Sequence, residues 1–433
     1  MTDTIVKGRP QTLNGEVSAP PSKAYTHRML IAALLSDGVS KISNPLVSND
    51  TEATLRAIRA FGAKILLKKN CWTVEGATSL KTPEKPIDCW ESGATLRFMI
   101  PVAALAPRSS TFRLGTSLEK RPITPLLQSL GKLGVKSSFQ RDQKGSAVEV
   151  QGGGITGGNT TIQGNISSQF ISGLLFACPK AENNTEIMLK TTLESKRYVQ
   201  MTKEILNKHS VKVQISKNFR EIHILSNQEY APFNHEVSGD FSSAAFLLVA
   251  TAITSSKVRV KNLDYHTTQG DKAILGILRK TGSKVKTKQR LVEVEGKLLD
   301  SVDVDARDIP DLVPVCTVLA CYTKGSAKIY NAGRLRSKES DRLMSLYVEL
   351  KKMGADITMD KESLTIRGPS ILHGATIDPH EDHRIAMACA VAALGAKGET
   401  KIQNSECVKK SYPKFFEDLS SLGAEVIGRK FNR

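Results

Sequence analysis

Six short polar segments contain most of the residues of this chain that could bind an anion or move a proton. They read PPSKAYTHR at 20–28, ESGATLR at 91–97, ISSQF at 166–170, GDFSSAAF at 239–246, DIPDLVPV at 308–315 and EDHRIAM at 381–387. Their candidate residues are Lys23, Arg28, Arg97, Ser167, Ser168, Gln169, Asp240, Asp311, His383 and Arg384. Lysine and arginine suit phosphate or carboxylate groups, while aspartate and histidine can exchange protons. Helix capping alone would need only serine and aspartate, so this mixture indicates anion binding and acid/base chemistry.

Each polar segment precedes an Ala/Leu-rich stretch, which predicts a helix that begins at the segment. A helix N-terminus presents unpaired N–H groups and a partial positive charge, so it is a ready anion site. A turn and a β-branched strand follow each helix, as in SSKVRVKN and KGSAKIYN. Because the segments recur about every 70 to 75 residues, the pattern indicates six copies of one repeat.

A second helix is predicted in each copy, and these helices end in similar sequences, such as LRAIRAFGAKI, ILGILRKTGSKV and LYVELKKMGADI. Their apolar spacing predicts one buried face, and the glycine predicts the C-terminal stop. The fold class is therefore α/β (α+β), with units of two helices and three to four strands. A chain of 433 residues is long for one core, so we expect two domains of three units each, at 22–238 and at 1–21 with 239–433. The strand before the first copy is expected to complete the last unit of the second domain.

The composition narrows the possible partners. A formal charge of +18 favours anionic partners, but no run of like charges forms a tail and aromatic residues are only 5%, so we expect no nucleic-acid partner. Seven cysteines form no C-x-x-C pair, which indicates neither a disulfide framework nor a zinc site. No segment reads as a signal peptide or a membrane span. We therefore expect a cytoplasmic protein with no membrane partner, no metal and no organic cofactor.

One glycine motif is set aside. Gly152, Gly154 and Gly157 satisfy G-x-G-x-x-G, but the NTTIQG that follows is strand-like and no helix opens there. The segment predicts a hairpin turn rather than a dinucleotide site. The other motifs also have structural interpretations when taken singly: Ser167 as an N-cap, or the charges at 338–342 as an ordinary first helical turn. Their co-occurrence at equivalent points of the repeats favours function.

Further motifs give the chain a resemblance to a known family. They are EKRPITPL at 119–126, ESKRY at 194–198, RDIPDL at 307–312, RSKESDRL at 336–343 and VKKSYP at 408–413. Together with SKAYTHR, ESGATLR, GNISSQF and DHRIAM, they make the chain resemble the 5-enolpyruvylshikimate-3-phosphate synthases (3-phosphoshikimate 1-carboxyvinyltransferases) of the enolpyruvyl transferase family. The combination of KESDR, RPxTP and DHRxAM makes the resemblance specific.

The resemblance implies a reaction and an architecture. This family joins phosphoenolpyruvate to the 5-hydroxyl of shikimate 3-phosphate and releases inorganic phosphate, a step of aromatic amino acid biosynthesis. Its fold has two domains, each of three βαβαββ units in an inside-out α/β barrel, with the active site in a closing interdomain cleft. A monomer without cofactor is implied. The two substrates carry about five to six negative charges, which agrees with the basic composition of the chain.

The resemblance also implies which residues hold each substrate. For phosphoenolpyruvate they are Lys23, Gly93, Arg121, Gln169, Arg342, Arg384 and Lys410. For shikimate 3-phosphate they are Lys23, Ala24, Arg28, Ser167, Ser168, Gln169, Ser195, Tyr198, Asp311 and Lys338. Supporting positions are Asp50, Glu91 and His383. Arginine suits these anions because its planar fork binds them bidentately.

Catalytic roles follow from the same resemblance. Asp311 is expected to take the proton of the attacking hydroxyl, and Glu339 to protonate and then deprotonate the methylene carbon. Lys23 is expected to assist the departure of phosphate, and His383 to orient its neighbours. The chain departs from the common family pattern at Ala24, Glu91, Ala94 and Arg334. These departures bear on substrate affinity rather than on the reaction class.

Two other activities share the repeat fold. A UDP-N-acetylglucosamine enolpyruvyl transferase normally carries a reactive cysteine before its Arg-Pro, and GTSLEKRP at 115–122 has none. An RNA 3′-phosphate cyclase-like enzyme would suit the basic charge, but that activity assigns no role to the KESDR motif. Release of phosphate from the two expected substrates separates these alternatives.

Overall fold

Helices and strands alternate along the chain in a repeated order. A computed structural model describes residues 2–8, 12–143, 145–297 and 300–428. The helices in these ranges are α1 Lys23–Leu35, α2 Asn49–Ala60, α3 Gly93–Ala103, α4 Thr124–Lys132, α5 Ser168–Ala177, α6 Lys196–Lys208, α7 Phe241–Ile253, α8 Ile274–Lys280, α9 Val313–Tyr322, α10 Arg342–Lys352, α11 His383–Leu394 and α12 Phe415–Ser421. The strands are β1 Thr4–Gly8, β2 Asn14–Ser18, β3 Val39–Ser43, β4 Lys64–Lys68, β5 Cys71–Glu75, β6 Ile87–Asp88, β7 Ser110–Arg113, β8 Ser137–Asp142, β9 Gly145–Val150, β10 Gly158–Ile162, β11 Thr185–Leu189, β12 Val213–Ile215, β13 Glu221–Ile224, β14 His235–Glu236, β15 Lys257–Lys261, β16 Lys284–Lys288, β17 Leu291–Glu295, β18 Val304–Asp305, β19 Gly325–Tyr330, β20 Asp356–Met359, β21 Leu364–Gly368, β22 Thr376–Ile377, β23 Gly398–Ile402 and β24 Val426–Gly428.

The strands form four-stranded sheets that correspond one to one with the six repeats. Their orders are β14-β3-β5-β4, β6-β7-β9-β8, β10-β11-β13-β12, β2-β15-β17-β16, β18-β19-β21-β20 and β22-β23-β1-β24. In each sheet the first two strands are parallel and the remaining pairs are antiparallel, as in the pairing of β6 with β7 and of β7 with β9. The second copy runs β6, α3, β7, α4, β8, β9, which is the expected βαβαββ order. Strand β1 pairs with β23 and β24 and so completes the sixth sheet.

The chain divides into two compact units. We call Ser22–Val237 the continuous unit, and Met1–Pro21 with Ser238–Arg433 the discontinuous unit. Each unit has its own hydrophobic core, built around α1, α3 and α5 in one and α7, α9 and α11 in the other. These six helices are buried along almost their whole length, whereas the second helix of each repeat buries one face. The six sheets cover the central helices.

The central helices begin at the predicted polar segments. Side chains of Ser22, Ser92, Ser167, Asp240 and Asp382 accept hydrogen bonds from backbone N–H groups of the first turn. Helix α9 begins differently, after a 3-10 turn at Pro310–Leu312. The interpretation of Ser167 as an N-cap is therefore correct, and a serine or an aspartate also caps four of the other central helices.

The prediction of a hairpin at the glycine motif is wrong. Residues 151–157 connect β9 of the second sheet with β10 of the third, so they cross between sheets instead of reversing within one. Glycine is needed because the chain passes close to neighbouring backbone: a Cβ at Gly152 would lie 2.1 Å from the Ala106 carbonyl oxygen. A strand follows the motif, as predicted.

Most of the cysteines are core residues. All seven are free thiols, and five are buried. Burial raises the pKa of Cys178, Cys316 and Cys321 to about 12, so these thiols stay protonated at neutral pH. Among the helices in the described ranges, none combines the length and the apolar character that crossing a bilayer requires.

Candidate active site

In the continuous unit, the start of α1 holds a largely buried ion pair. Ser22 caps α1 by accepting a hydrogen bond from the Tyr25 amide, and Lys23 is the first helical residue. Lys23 Nζ donates to Asp50 Oδ2 at 3.1 Å. Asp50 lies in the first turn of α2, which Ser48 caps. The pair ties the starts of the two helices together and fixes the direction of the Lys23 side chain.

Arg28 is a buried cation whose hydrogen-bond partners are all neutral. Its side chain is 2% exposed and donates through Nε to Thr202 Oγ1 at 2.8 Å, and through its Nη atoms to the carbonyls of Ala24 and Tyr198. The guanidinium also lies over the Phe98 ring, 5.0 Å from its centroid. Burial lowers the pKa of Arg28 to about 10. No carboxylate in the described part of the chain pairs with it, so an anionic ligand would stabilise this charge.

Two further guanidinium groups meet at the N-terminus of α3. A Cβ added to Gly93 would lie 3.0 Å from Arg121 Nη1 and 3.2 Å from Arg97 Nη1, so glycine leaves room for both. Arg97 Nη1 donates to Gln169 Oε1 at 2.8 Å, which joins the starts of α3 and α5. The helix N-terminus adds its own partial positive charge. This end of α3 therefore has the character of an anion site.

Hydroxyl groups lie at the starts of α5 and α6. Ser167 caps α5 through the Gln169 amide at 3.3 Å, and Ser168 is the first residue of that helix. Ser195 precedes α6 in the left-handed region, with φ 55°, and is buried. The Tyr198 ring in α6 lies 5.7 Å from the Arg28 guanidinium. Arg28 thus links the first turn of α6 to α1.

Glu91 supports a neighbouring loop. Its Oε1 and Oε2 atoms accept hydrogen bonds from the amides of Ser117 and Leu118, at 3.2 Å and 2.9 Å. These amides open the 3-10 turn that leads directly to Arg121. An acidic residue at position 91 therefore holds the segment that leads to Arg121.

Arg342 is the centre of a buried ion-pair network in the discontinuous unit. It is the first residue of α10, and its side chain is 1% exposed. Nη1 donates to Asp311 at 2.9 Å, Nη2 to Glu339 at 2.8 Å and Nε to Asp382 at 2.7 Å. Burial disfavours the charge, but Asp382, Glu339 and Asp311 outweigh it and hold the pKa of Arg342 above its usual range. The Arg342 guanidinium thus binds both of the predicted acid/base carboxylates, Asp311 and Glu339.

Asp311 is shared between two arginines. Its Oδ2 atom accepts a hydrogen bond from Arg384 Nη2 at 3.1 Å, while Oδ1 binds Arg342. Arg384 also donates to the Ser242 carbonyl at 3.4 Å, so the starts of α7, α9 and α11 meet here. Burial opposes ionisation of Asp311, but Arg384, Lys338 and Arg342 outweigh it and hold its pKa well below the usual range. Asp311 is a carboxylate whose weak basicity depends on these cations.

Lys338 has lost much of its ordinary basicity. Burial lowers its pKa to about 7, and Arg334 and Arg342 lower it further against the opposing effect of Asp311 and Glu339. Lys338 therefore exists in both protonation states near neutral pH. A phosphate dianion beside it would shift it to the ammonium form.

The other predicted residues of this unit lie at or beside α11. His383 is buried, with Nδ1 3.6 Å from Asp382 Oδ1. Lys410 ends the 3-10 turn Ser405–Lys410, which packs against α11. The Lys410 side chain is half-buried and makes no ion pair within the described ranges. It is thus available for an external anion.

Two carboxylates of this cluster were missed as site residues. Asp382 caps α11 and binds Arg342, a contact between residues 40 positions apart that no local pattern signals. Asp271 is buried, is hydrogen-bonded to a serine hydroxyl at the start of α7, and has a pKa raised to about 7 by burial and then by Asp311. Asp50 lies at a similar point of the first repeat, so comparison of repeats could have indicated Asp271.

A family model and several relatives match nearly the whole chain. A family model described as EPSP synthase (3-phosphoshikimate 1-carboxyvinyltransferase) matches residues 7–419. The 3-phosphoshikimate 1-carboxyvinyltransferase of Methanocella arvoryzae is 44% identical over 415 residues, 95% of this chain and 97% of its own length. Those of Methanocaldococcus jannaschii and Clostridium perfringens are 42% and 40% identical, covering 98% and 97% of this chain and 98% of each relative.

A solved structure, EPSP synthase from Acinetobacter baumannii, aligns with a TM-score of 0.83 at 24% identity, over 99% of this chain and 100% of that one. The likeness confirms the predicted two-domain α/β fold. Together with the match of the family model over nearly the whole sequence, it leads to one conclusion. The chain belongs to the EPSP synthase (3-phosphoshikimate 1-carboxyvinyltransferase) family.

Proposed function

We propose that this protein transfers the enolpyruvyl group of phosphoenolpyruvate to the 5-hydroxyl of shikimate 3-phosphate, giving 5-enolpyruvylshikimate 3-phosphate and inorganic phosphate. The observation that carries the proposal is the Arg342 network, which brings Asp311 and Glu339 onto one guanidinium. Two carboxylates in different surroundings are what separate proton-transfer steps need. The family membership gives the substrates.

The reaction proceeds by addition and elimination. The hydroxyl oxygen attacks C2 of phosphoenolpyruvate while C3 gains a proton, which gives a tetrahedral ketal phosphate. Loss of a C3 proton and cleavage of the C2–O bond to phosphate then yield the enol ether. We assign Asp311 as the base for the hydroxyl and Glu339 as the group that gives and regains the C3 proton. Lys23 is assigned to the departure of phosphate.

Substrate anions would change the basicity of Asp311. In the ligand-free protein, Arg342 and Arg384 hold its pKa low, so it is a poor base. A carboxylate or phosphate that binds to these arginines shares their positive charge. The arginines then stabilise the Asp311 carboxylate less, so its pKa rises. Asp311 becomes a better acceptor for the hydroxyl proton. Substrate binding and activation of the base are then one event.

The remaining assignments divide the anionic groups among the binding residues. Phosphoenolpyruvate is assigned to Lys23, Gly93, Arg121, Gln169, Arg342, Arg384 and Lys410. Shikimate 3-phosphate is assigned to Lys23, Ala24, Arg28, Ser167, Ser168, Gln169, Ser195, Tyr198, Asp311 and Lys338. The neutral surroundings of Arg28 and the crowding of guanidinium groups at Gly93 support this division. Both features concentrate positive charge where an anion can bind.

A phosphate-release assay tests the activity directly. Shikimate 3-phosphate and phosphoenolpyruvate together should release inorganic phosphate, whereas either compound alone should not. Replacing shikimate 3-phosphate by UDP-N-acetylglucosamine should abolish release. Release with the nucleotide sugar but not with shikimate 3-phosphate would overturn the proposal.

We further propose that the protein works as a cytoplasmic monomer on these two small molecules, without nucleic-acid or membrane partners. The basic charge of +18 is then matched to anionic substrates. Light scattering on the eluting protein measures the oligomeric state, and a mass of twice the chain would contradict it.

Lys338 gives a prediction about proton uptake. Because its pKa in the free protein is about 7, most of the side chain is neutral at pH 8. Binding of shikimate 3-phosphate should recharge it and take up close to one proton per site, roughly 0.9 from these values. Titration calorimetry at pH 8 in two buffers of different ionisation enthalpy measures this uptake.

Two variants separate Lys338 from other groups. Lys338→Arg keeps a permanent charge, so it should bind shikimate 3-phosphate with little proton uptake. Lys351→Met, at an exposed position on α10, should behave as the unmodified protein. Equal uptake in Lys338→Arg and the unmodified protein would remove Lys338 from the phosphate contact.

A further inference from the structure

The turn before α11 has an unusual backbone. His380 and Glu381 have φ values of 52° and 56°, and the Asp382 amide donates to the Pro379 carbonyl at 2.8 Å. Two central residues at positive φ are typical of a type I′ turn, which normally uses Asn-Gly because side chains disfavour this region. In the described part of the chain, this is the one place where two consecutive non-glycine residues have positive φ. Such a turn needs support from outside.

Glu349 of α10 supplies contacts to this turn. Its side chain is 0% exposed, and Oε1 lies 3.0 Å from His380 Nε2. Oε2 accepts a hydrogen bond from the Asp378 amide at 3.3 Å. Lys352 Nζ donates to both carboxylate oxygens at 2.8 Å and 2.9 Å. On the α11 side, burial and then the charge of Glu349 raise the pKa of Cys389.

The other repeats show that the helix itself does not need an acid here. Glu349 lies five residues before Gly354, where the second helix ends at positive φ. The same position in the other repeats is occupied by Ala57, Ser129, Ile205, Ile277 and Asp418. Four of these are small or apolar, so a buried carboxylate is not part of the common helix packing. A buried charge is costly and requires partners, and those of Glu349 include the 378–380 segment.

The turn also determines where the functional side chains lie. Asp382 ends it, caps α11 through the Arg384 amide at 2.9 Å, and accepts the Arg342 Nε hydrogen bond at 2.7 Å. A shift of this turn therefore moves Asp382, and with it the two arginines that share Asp311. The matching turn before α3 has only Trp90 at positive φ.

We propose that Glu349 is a positioning residue, which holds the 379–382 turn so that Asp382 keeps Arg342 and Arg384 in place. Its effect on turnover rests on the proposed function, whereas its effect on the turn does not. Both can be measured on the full chain with Glu349→Gln, which keeps the shape of the side chain and removes its charge.

Hydrogen exchange measures the turn directly. In Glu349→Gln, the amides of the 378–386 segment should exchange about 10-fold faster than in the unmodified protein. The kcat/KM for phosphoenolpyruvate should fall about 10- to 100-fold, because small displacements of positioned groups have large effects on rate. Lys351→Met is the matched control, since it removes an exposed lysine of the same helix that donates to Tyr347 rather than to Glu349. It should change neither quantity by more than about 3-fold.

A rescue experiment separates positioning from general stability. His380→Asn combined with Glu381→Gly gives the turn a sequence that prefers the observed backbone. In that background Glu349→Gln should lower kcat/KM by less than about 3-fold. It should not speed up exchange of the 378–386 amides. An equal loss in both backgrounds, or unchanged exchange in Glu349→Gln, would overturn the proposal. If no variant releases phosphate, the exchange data still decide the role of Glu349, and the proposed function fails separately.

Discussion

Glu339→Gln should bind both substrates but lower kcat by about 10²- to 10⁴-fold, the usual effect of removing a general acid or base. Glutamine has the same shape, and its amide oxygen can still accept the hydrogen bond that Arg342 Nη2 donates to Glu339 at 2.8 Å. The amide cannot give or take the C3 proton. Steady-state kinetics should therefore show a loss in kcat, with dissociation constants from calorimetry changed little.

Asp341→Asn is the matched control for Glu339. Asp341 belongs to the same charged motif but caps α10 through the Met344 amide at 3.0 Å and pairs with Arg336. Asparagine caps helices as well as aspartate does, and a partly exposed ion pair contributes only about 0 to 1 kcal/mol. Turnover of this variant should be near normal. Near-normal turnover of Glu339→Gln as well would remove Glu339 from the chemistry.

Repetition made much of the fold predictable. The polar segments correctly predict where the central helices begin. The glycines at 62, 134, 282, 354 and 423 have positive φ and mark the ends of second helices, as expected. The βαβαββ order of elements within a repeat is the one that the family resemblance implied. The glycine motif at 152–157 failed because a turn between sheets and a hairpin share the same residue types.

The site was only partly predictable, because its contacts join distant residues. Arg28 was predicted as a binding residue, but its hydrogen-bond partner Thr202 lies 174 positions away and no periodicity connects them. The Glu339–Arg342 pair has the i,i+3 spacing of a surface helix pair, yet the arginine is 1% exposed. Glu349 stands next to exposed lysines and reads as part of a solvated helix face. Burial, which sequence spacing does not report for single residues, distinguishes these cases.

Arg342→Met should cause the largest loss of stability, about 3 to 5 kcal/mol in the free energy of unfolding, together with loss of turnover. The substitution fills the same space with an apolar chain but leaves three carboxylates without their shared cation. Asp382 has a completely buried side chain, so its uncompensated charge is especially unfavourable. Urea unfolding monitored by circular dichroism measures the effect.

The stability that Arg342→Met loses should increase as pH rises. In the unmodified protein the pKa of Asp311 is depressed, so its ionisation stabilises the fold above the unfolded-state pKa, and this contribution is lost as pH falls toward the folded-state value. Without Arg342, Asp311 gains a proton more readily, so its folded-state pKa rises and its ionisation opposes folding. The difference in unfolding free energy between the two proteins should therefore grow from about pH 4 toward neutral pH.

Two substitutions show whether this effect belongs to the network. Arg342→Lys keeps one charge but cannot make three directed contacts, so its stability should lie between those of the unmodified protein and Arg342→Met. Arg336→Met removes an arginine from a partly exposed pair on the same motif and should cost no more than about 1 kcal/mol at any pH. A pH-independent loss in Arg342→Met would mean that packing, rather than the charge of the guanidinium, holds the carboxylates together. Since the same guanidinium holds Asp311 and Glu339, a loss that follows pH would tie the stability of this unit to the acid/base pair on which the proposed reaction depends.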